Sequence, residues 1–209
     1  MVSATRTELL ARRARIDLAR QGRDLLEDKR SALLRELNRI AVEASEMSAD
    51  LLKRAAEGRR ALGEAIALDG RERVGSAALA ASGEVELELA TRNVAGVQVV
   101  EVVSDGAVRG PSARGYSQAA TTPRIDLVAG RYERVLDTLL EAAALELTLR
   151  RLALEIRTTR RRVNALEQVV LPRLARERSQ IAIVLEERER EDRARLRRAK
   201  AKLHRVVAA

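Results

Sequence analysis

The chain has no Phe, no Trp and two Tyr in 209 residues. Compact cores draw much of their buried area from aromatic rings. Their near absence argues against a chain of this length wrapped around one thick core. There is no cysteine, which excludes disulfides and thiolate metal sites. The single histidine, His204, excludes a histidine-based metal cluster or a histidine-dependent triad. Its place near a helix end suits the negative end of the helix dipole and little else. No apolar run approaches the roughly 20 residues that a membrane-spanning helix needs. The N-terminal Met1-Val2-Ser3-Ala4-Thr5-Arg6 lacks the apolar centre of a signal peptide. The expectation is a soluble cytoplasmic protein with no direct membrane insertion.

What is abundant is Ala, Leu, Glu and Arg, all strong helix formers. Charged residues make up 34% and hydrophobic residues 46%. Disorder is disfavoured, because the hydrophobic residues recur at regular spacing. The net charge of +9 points to acidic partners: nucleic acid, an anionic membrane surface or an acidic protein surface.

Three segments follow from the periodicity. Residues 1–69 read as one long helix from about Thr5 to Leu68. It opens on the capping box Thr5-x-x-Glu8 and stops at Asp69-Gly70. Leu33, Leu37, Ile40, Ala44, Met47 and Leu51 step by four and three, the seam of a coiled coil. Upstream the seam thins through Ile16, Ala19, Gly22 and Leu26, where Gly22 is expected either to permit close helix approach or to be a mild packing defect. Such a helix is about 95 Å long at about 1.5 Å per residue.

Residues 70–122 break this pattern. Glu84 to Leu89 alternates polar and apolar, and Val97 to Val103 is rich in β-branched residues, so both suit strands. Asn93-Val94-Ala95-Gly96 supplies turn chemistry between them, giving an antiparallel hairpin. Gly106 to Thr122 reads as an irregular loop. Residues 123–209 form a second long helix to about Val206, opened by Thr122-Pro123. Its seam is Leu152, Ile156, Thr159, Val163, Leu166 and Val170, resuming with Leu174, Ile181 and Val184 or Leu185. Pro172 lies inside it and is expected to bend the axis. Two such helices bury their stripes most simply against each other. The fold class is therefore mainly all-α, a long antiparallel two-helix coiled coil with a small β-hairpin and loop region at its turning end.

Catalytic and ligand motifs are lacking. No phosphate-binding loop of the G-x-x-x-x-G-K-[ST] or G-x-G-x-x-G kind occurs, and no cofactor is expected. Gly106-Ala107-Val108-Arg109-Gly110 resembles a phosphate loop only superficially, and a flexible loop is the simpler reading. Glu84, Glu86 and Glu88 share one face of the strand pattern, with no His or Asp to make a metal or acid–base set. Arg160-Arg161-Arg162 spreads around a helix, so at least one belongs at the flank of the seam. Either the group is a solvated flank or it meets an acidic partner. Glu186 to Glu191 mixes signs at helix-pairing spacing, while Arg193 to Lys202 is strongly basic. That end suits phosphates, but without interleaved aromatics single-stranded nucleic acid is disfavoured.

Several stretches carry a resemblance. Glu155-Ile156-Arg157-Thr158-Thr159-Arg160-Arg161-Arg162-Val163-Asn164-Ala165-Leu166-Glu167, running on to Val169-Val170-Leu171-Pro172, resembles the D-subunit family of V/A-type rotary ATPases. So do Ile181 to Glu191 with the basic Arg195 to Lys200, the N-terminal Leu18 to Arg30, and the turn Asn93-Val94-Ala95-Gly96-Val97. The resemblance covers nearly the whole chain in order and is weakest from Gly106 to Thr122. It implies a non-catalytic central rotor shaft whose two terminal helices insert into a hexameric head of catalytic subunits A and B. It further implies a clamp by the F subunit of the stalk and a funnel-like stalk subunit linking the shaft to the membrane ring. Localisation would then be cytoplasmic, peripheral to the membrane. Under that reading Arg6, Arg12, Arg13, Arg195 and Arg198 are candidate head contacts. Arg161, Arg162, Val163, Asn164, Ala165, Leu166, Glu167 and Pro172 are the shaft motif, and Asn93 and Gly96 mark the hairpin. A basic coiled coil that binds nucleic acid, or a scaffold coiled coil, is the alternative. Both explain the rods and the charge but not the motif series.

Overall fold

The computed structural model describes residues 5–82, 84–104 and 106–207; the side chains of 103, 104 and 202–207, His204 among them, lie outside that description. The elements are α1 (Arg6–Asp69), α2 (Arg71–Ala80), β1 (Leu87–Val94), β2 (Val97–Ser104), α3 (Pro123–Ala165) and α4 (Leu171–Val207). A single π-helical turn, Leu166–Val170, joins α3 to α4. Chain contacts divide the protein into two units: residues 1–31 with 157–209, and residues 32–156.

The helix starts follow the sequence signals. Thr5 caps α1, its hydroxyl oxygen accepting the Glu8 backbone N–H at 3.2 Å. Gly70, at φ 86°, ends that helix in a conformation that side chains disfavour. Pro123 occupies the first position of α3, where its missing N–H has no intrahelical partner to lose. The Thr122 hydroxyl does not cap that helix. It donates instead to the Asp69 carboxylate at 2.8 Å, which also accepts from Arg124 at 2.8 Å. These bonds tie the end of α1 to the start of α3, so the chain reverses direction there.

In the unit of residues 32–156, α1 and α3 pair antiparallel. Leu33, Ile40 and Leu152 form a buried cluster, with Leu37, Leu145, Leu149 and Ile156 packed against it. Nearer the reversal the core changes to small residues, Ala61 and Ala65 against Val128. The Tyr132 ring covers Gly58, and an added Cβ there would meet the ring carbons at 3.6 Å.

The intervening segment departs from expectation in three ways. Residues 71–80 are helical, and α2 packs through Val74 and Ala77 onto Ala61, Ala65, Ile125 and Val128. Val74 and Ala77 bury enough through tertiary contact for the run to be helical despite its Gly75. β1 begins at Leu87, so Glu84 and Glu86 precede the strand. Lastly, the hairpin does not stay at the turning end. Val97 packs into the cluster of Leu33, Ile40 and Leu152. Arg151 donates to the Gln98 carbonyl at 2.8 Å and Thr148 to the Val100 carbonyl at 3.4 Å. The strands therefore run back along the helix pair. The reason is burial: Val99 is 2% exposed, and a single two-stranded layer cannot cover it without the helices.

The hairpin turn is the two residues Ala95 and Gly96, at φ 49° and 81°. Two positive φ values make it the type that matches strand twist. The Asn93 side-chain oxygen accepts the Gly96 N–H at 2.9 Å.

Candidate functional site

In the unit of residues 1–31 and 157–209, the seam is narrow. Ile16, Thr159, Val163 and Ile181 are buried. Ion pairs flank it: Arg6–Glu189 at 2.6 Å, Arg12–Glu177 at 3.0 Å and Arg23–Glu167 at 3.9 Å. As the first number rises the second falls, which is the register of an antiparallel pair. Arg6 holds the Glu189 carboxyl below the ordinary range by a hydrogen bond. Glu177 is lowered likewise, first by its hydrogen bond from Arg173 and then by Arg12.

The candidate cations divide by what they touch. The Arg12 side chain is 14% exposed, held between Glu8 at 2.9 Å and Glu177 at 3.0 Å. Its place is within the chain. Arg6 is exposed although paired, and Arg195 reaches Glu191 only at 3.7 Å and is exposed. Arg13 and Arg198 are exposed and make no ion pair among the described residues. The mixed run compensates itself as expected, through Glu186–Arg190, Glu189–Arg193 and Glu191–Arg195.

Within the shaft motif, Val163 is buried while Arg160, Arg161 and Arg162 are all exposed. Thr159 and Val163 fill the contact face, and the three arginines beside them are open to solvent. Asn164 and Ala165 are exposed; Leu166 and Glu167 are half-buried and open the π turn. The Leu171 N–H donates to the Leu166 carbonyl, five residues back. Pro172 explains the position. It has no N–H for the preceding turn and its ring crowds the carbonyl four residues earlier. The wider turn adds one residue and shifts the buried face by one. Consequently Leu171 and Leu174 are half-buried and Val170 is exposed, which corrects the placement of Val170 on the seam. Of the two readings of Gly22, close helix approach is set aside, because an added Cβ would meet no atom within 4 Å.

The loop from Gly106 to Thr122 is neither irregular filler nor a phosphate cradle. Along α3, Asp126, Gly130, Glu133 and Asp137 recur at helical spacing and so share one face. The loop lies on that face. The Ala107 N–H donates to Asp137, and the Arg109 N–H to Glu133 at 3.2 Å. Those carboxylates occupy the amides that a phosphate would need. Arg114, 8% exposed, forks onto both oxygens of Glu133 at 2.8 and 2.7 Å and reaches Asp126 at 2.5 Å. The Tyr116 hydroxyl donates to the same Asp126 oxygen at 2.8 Å.

Electrostatics and space both fit this hub. Burial raises the Glu133 pKa, but the Arg114 bond and the Arg109 amide outweigh it, and the carboxyl sits below the ordinary range. Asp126 is lowered, first by the Tyr116 hydroxyl and then, against burial, by Arg114. Burial, with the Asp126 bond, pushes the Tyr116 phenol up. Gly130 leaves room for the guanidinium, since a Cβ there would lie 3.1 Å from its nitrogen. Gly115, at φ 86°, lets the chain turn where a Cβ would collide with the Ala80 carbonyl at 2.8 Å. The hub was missed at the level of sequence; the signal for it was the polar stripe 126–130–133–137, which has no apolar residue to bury.

Among the described residues, no helix is long and apolar enough to cross a membrane. The family model for the ATP synthase D subunit matches residues 8–201. The chain is 41% identical to the A-type ATP synthase D subunit of Thermococcus gammatolerans, over 96% of this chain and 94% of the relative. It is 42% identical to the V-type ATP synthase D subunit of Anaeromyxobacter dehalogenans, over 96% of each. The A-type D subunit of Pyrococcus furiosus is 38% identical over 97% of this chain and 94% of its own length. A chain of long paired helices that matches at this level over nearly its whole length belongs to the ATP synthase D-subunit family.

Proposed function

We propose that this chain is the central rotor shaft of a V/A-type ATP synthase or ATPase, transmitting rotation between an ion-driven membrane ring and a catalytic head. The observation that carries this reading is the antiparallel pairing of the chain's two ends, Arg6 with Glu189 and Arg12 with Glu177. Two helices paired over many turns resist bending and twisting together. The chain's part is mechanical, and the nucleotide chemistry belongs to head subunits A and B. The F subunit and a funnel-like stalk subunit are its other partners. Asn93 and Gly96 set the hairpin's turn, and the hairpin meets the stalk.

The exposed cations Arg6, Arg13, Arg195 and Arg198 face acidic surfaces of the head. Exposed pairs of this kind are worth only about 0.2–1 kcal/mol each, which suits a surface that must slide rather than lock. Arg12 supports the shaft from inside.

The test is single-molecule rotation. A probe fixed to this chain, in a complex with head subunits A and B and the F subunit, is expected to turn in steps when ATP is supplied. Steady ATP hydrolysis by a complex whose probe stays still would remove the reading.

A further inference from the structure

β1 is the one strand edge that nothing covers among the described residues. Val94 and Val97 flank a two-residue turn, so they exchange both backbone hydrogen bonds and the pattern then alternates. The residues whose N–H and C=O turn inward are therefore Glu88, Ala90, Arg92 and Val94. Those of Leu87, Leu89, Thr91 and Asn93 turn outward. On β2 the outward carbonyls of Gln98 and Val100 accept from Arg151 and Thr148 of α3, which fits the alternation and sets that edge against the helix. On β1 no described donor or acceptor meets the outward groups.

The side chains of that edge are sorted. Leu87 and Leu89 are 46% and 69% exposed and share one face. Glu86 and Glu88 alternate with them onto the other face, and both are exposed. Between residues 84 and 104 there are four glutamates and one arginine, in a chain of net charge +9. The edge is thus acidic on one face and aliphatic on the other.

We infer that β1 is a docking edge for a partner strand in which Lys or Arg alternates with aliphatic residues. Such a strand would pair with the outward amides and carbonyls of Leu87, Leu89 and Thr91. Its aliphatic side chains would extend the Leu87–Leu89 row, and its cations would lie beside Glu86 and Glu88. Main-chain bonding supplies affinity and alternate side chains supply selection. A second copy is the poorer occupant, because two hairpins of like net charge would be brought together. The inference rests on the rotor-shaft reading, in that the strand belongs to a stalk partner.

Hydrogen exchange on the full chain, alone and within the rotary complex purified through it, tests the edge. Alone, the amides of Ala90 and Arg92 are expected to exchange slowly, and those of Leu87, Leu89 and Thr91 at unprotected rates. In the complex the outward three should slow at least tenfold. Equal rates in both states overturn the proposal, as does protection that appears in the isolated chain as its concentration rises. A photoreactive benzoylphenylalanine replacing Leu89 should attach to an extended segment that alternates basic and aliphatic residues. Attachment to a helix or to an acidic segment overturns it.

Thr91→Pro removes one outward N–H and leaves the inward ladder intact, since proline is tolerated where a strand N–H faces solvent. It should reduce the protection of Leu89 in the complex at least tenfold while Ala90 and Arg92 stay slow. Glu86→Lys with Glu88→Lys, which changes no backbone group, should do the same. Protection unchanged in both variants overturns the proposal. Co-purification of subunits A and B with β1 unprotected would sink this inference alone, whereas their absence would sink the rotor reading itself.

Discussion

Arg114 shows how a single side chain organises a segment that carries little apolar surface. Its guanidinium is nearly buried and meets two carboxylates. A buried charge is tolerable only when paired and hydrogen-bonded, and removing one partner leaves the other stranded. Arg114→Met is therefore expected to cost about 3 kcal/mol of stability, read as a drop in the urea midpoint. The pH dependence has a definite sign. Glu133 has a folded pKa below its ordinary 4.5, so the unfolded chain takes up the proton first as pH falls. The hub's contribution is complete above that value and is lost as pH falls through the folded pKa. Glu133→Gln should unfold at lower urea than the parent at pH 7, and the gap should close in strongly acidic solution. A gap that stays constant from pH 7 down to that range would mean that the Arg114–Glu133 charge pair is not its source.

At the scale of elements, the strengths of the sequence signals explain what was legible. Long helices repeat their evidence every turn, so α1, the antiparallel partner and the capping Thr5 are readable. The turn at Ala95-Gly96 is readable because its chemistry is local. The seat of the hairpin is not, since Val99 against the helices is a contact between residues far apart in sequence. α2 was hidden by Gly70 and Gly75, which suggest a break where tertiary packing keeps a helix. Pro172 announced an irregularity; its position was readable, and its form as a π turn was not. In the candidate site the flanking cations were legible as charges, whereas the burial of Arg12 depends on Glu177 across the pair. The hairpin also carries a cost that can be removed. Ala95 stands at φ 49°, a left-handed conformation that disfavours a Cβ and that Asn adopts more readily. Ala95→Asn should stabilise the hairpin by about 1 kcal/mol, seen as roughly fivefold slower exchange of the Ala90 and Arg92 amides.

For the molecule as a whole, the division of charge matters more than its total. Many arginines on the helices have a carboxylate three or four residues away, as in Arg39 with Glu36 and Glu43, and Arg54 with Asp50. Such pairs keep the helices solvated and offset part of their positive charge. Among the described residues, the cations that are exposed and make no ion pair include Arg13, Arg160 to Arg162 and Arg198. Charges that contribute nothing to folding are free to act on other surfaces, and the two roles separate by mutation. Reversing Arg13, Arg195 and Arg198 together to Glu should leave the thermal midpoint of the isolated chain within a few degrees, because each is exposed and at most weakly paired. In the assembled motor the same variant should lower the torque per ATP consumed, with a weaker dependence on salt than the parent shows, since screening then has less attraction to remove. Unaltered torque in the triple variant would place the working contact on the apolar flank of the helices instead of on their cations.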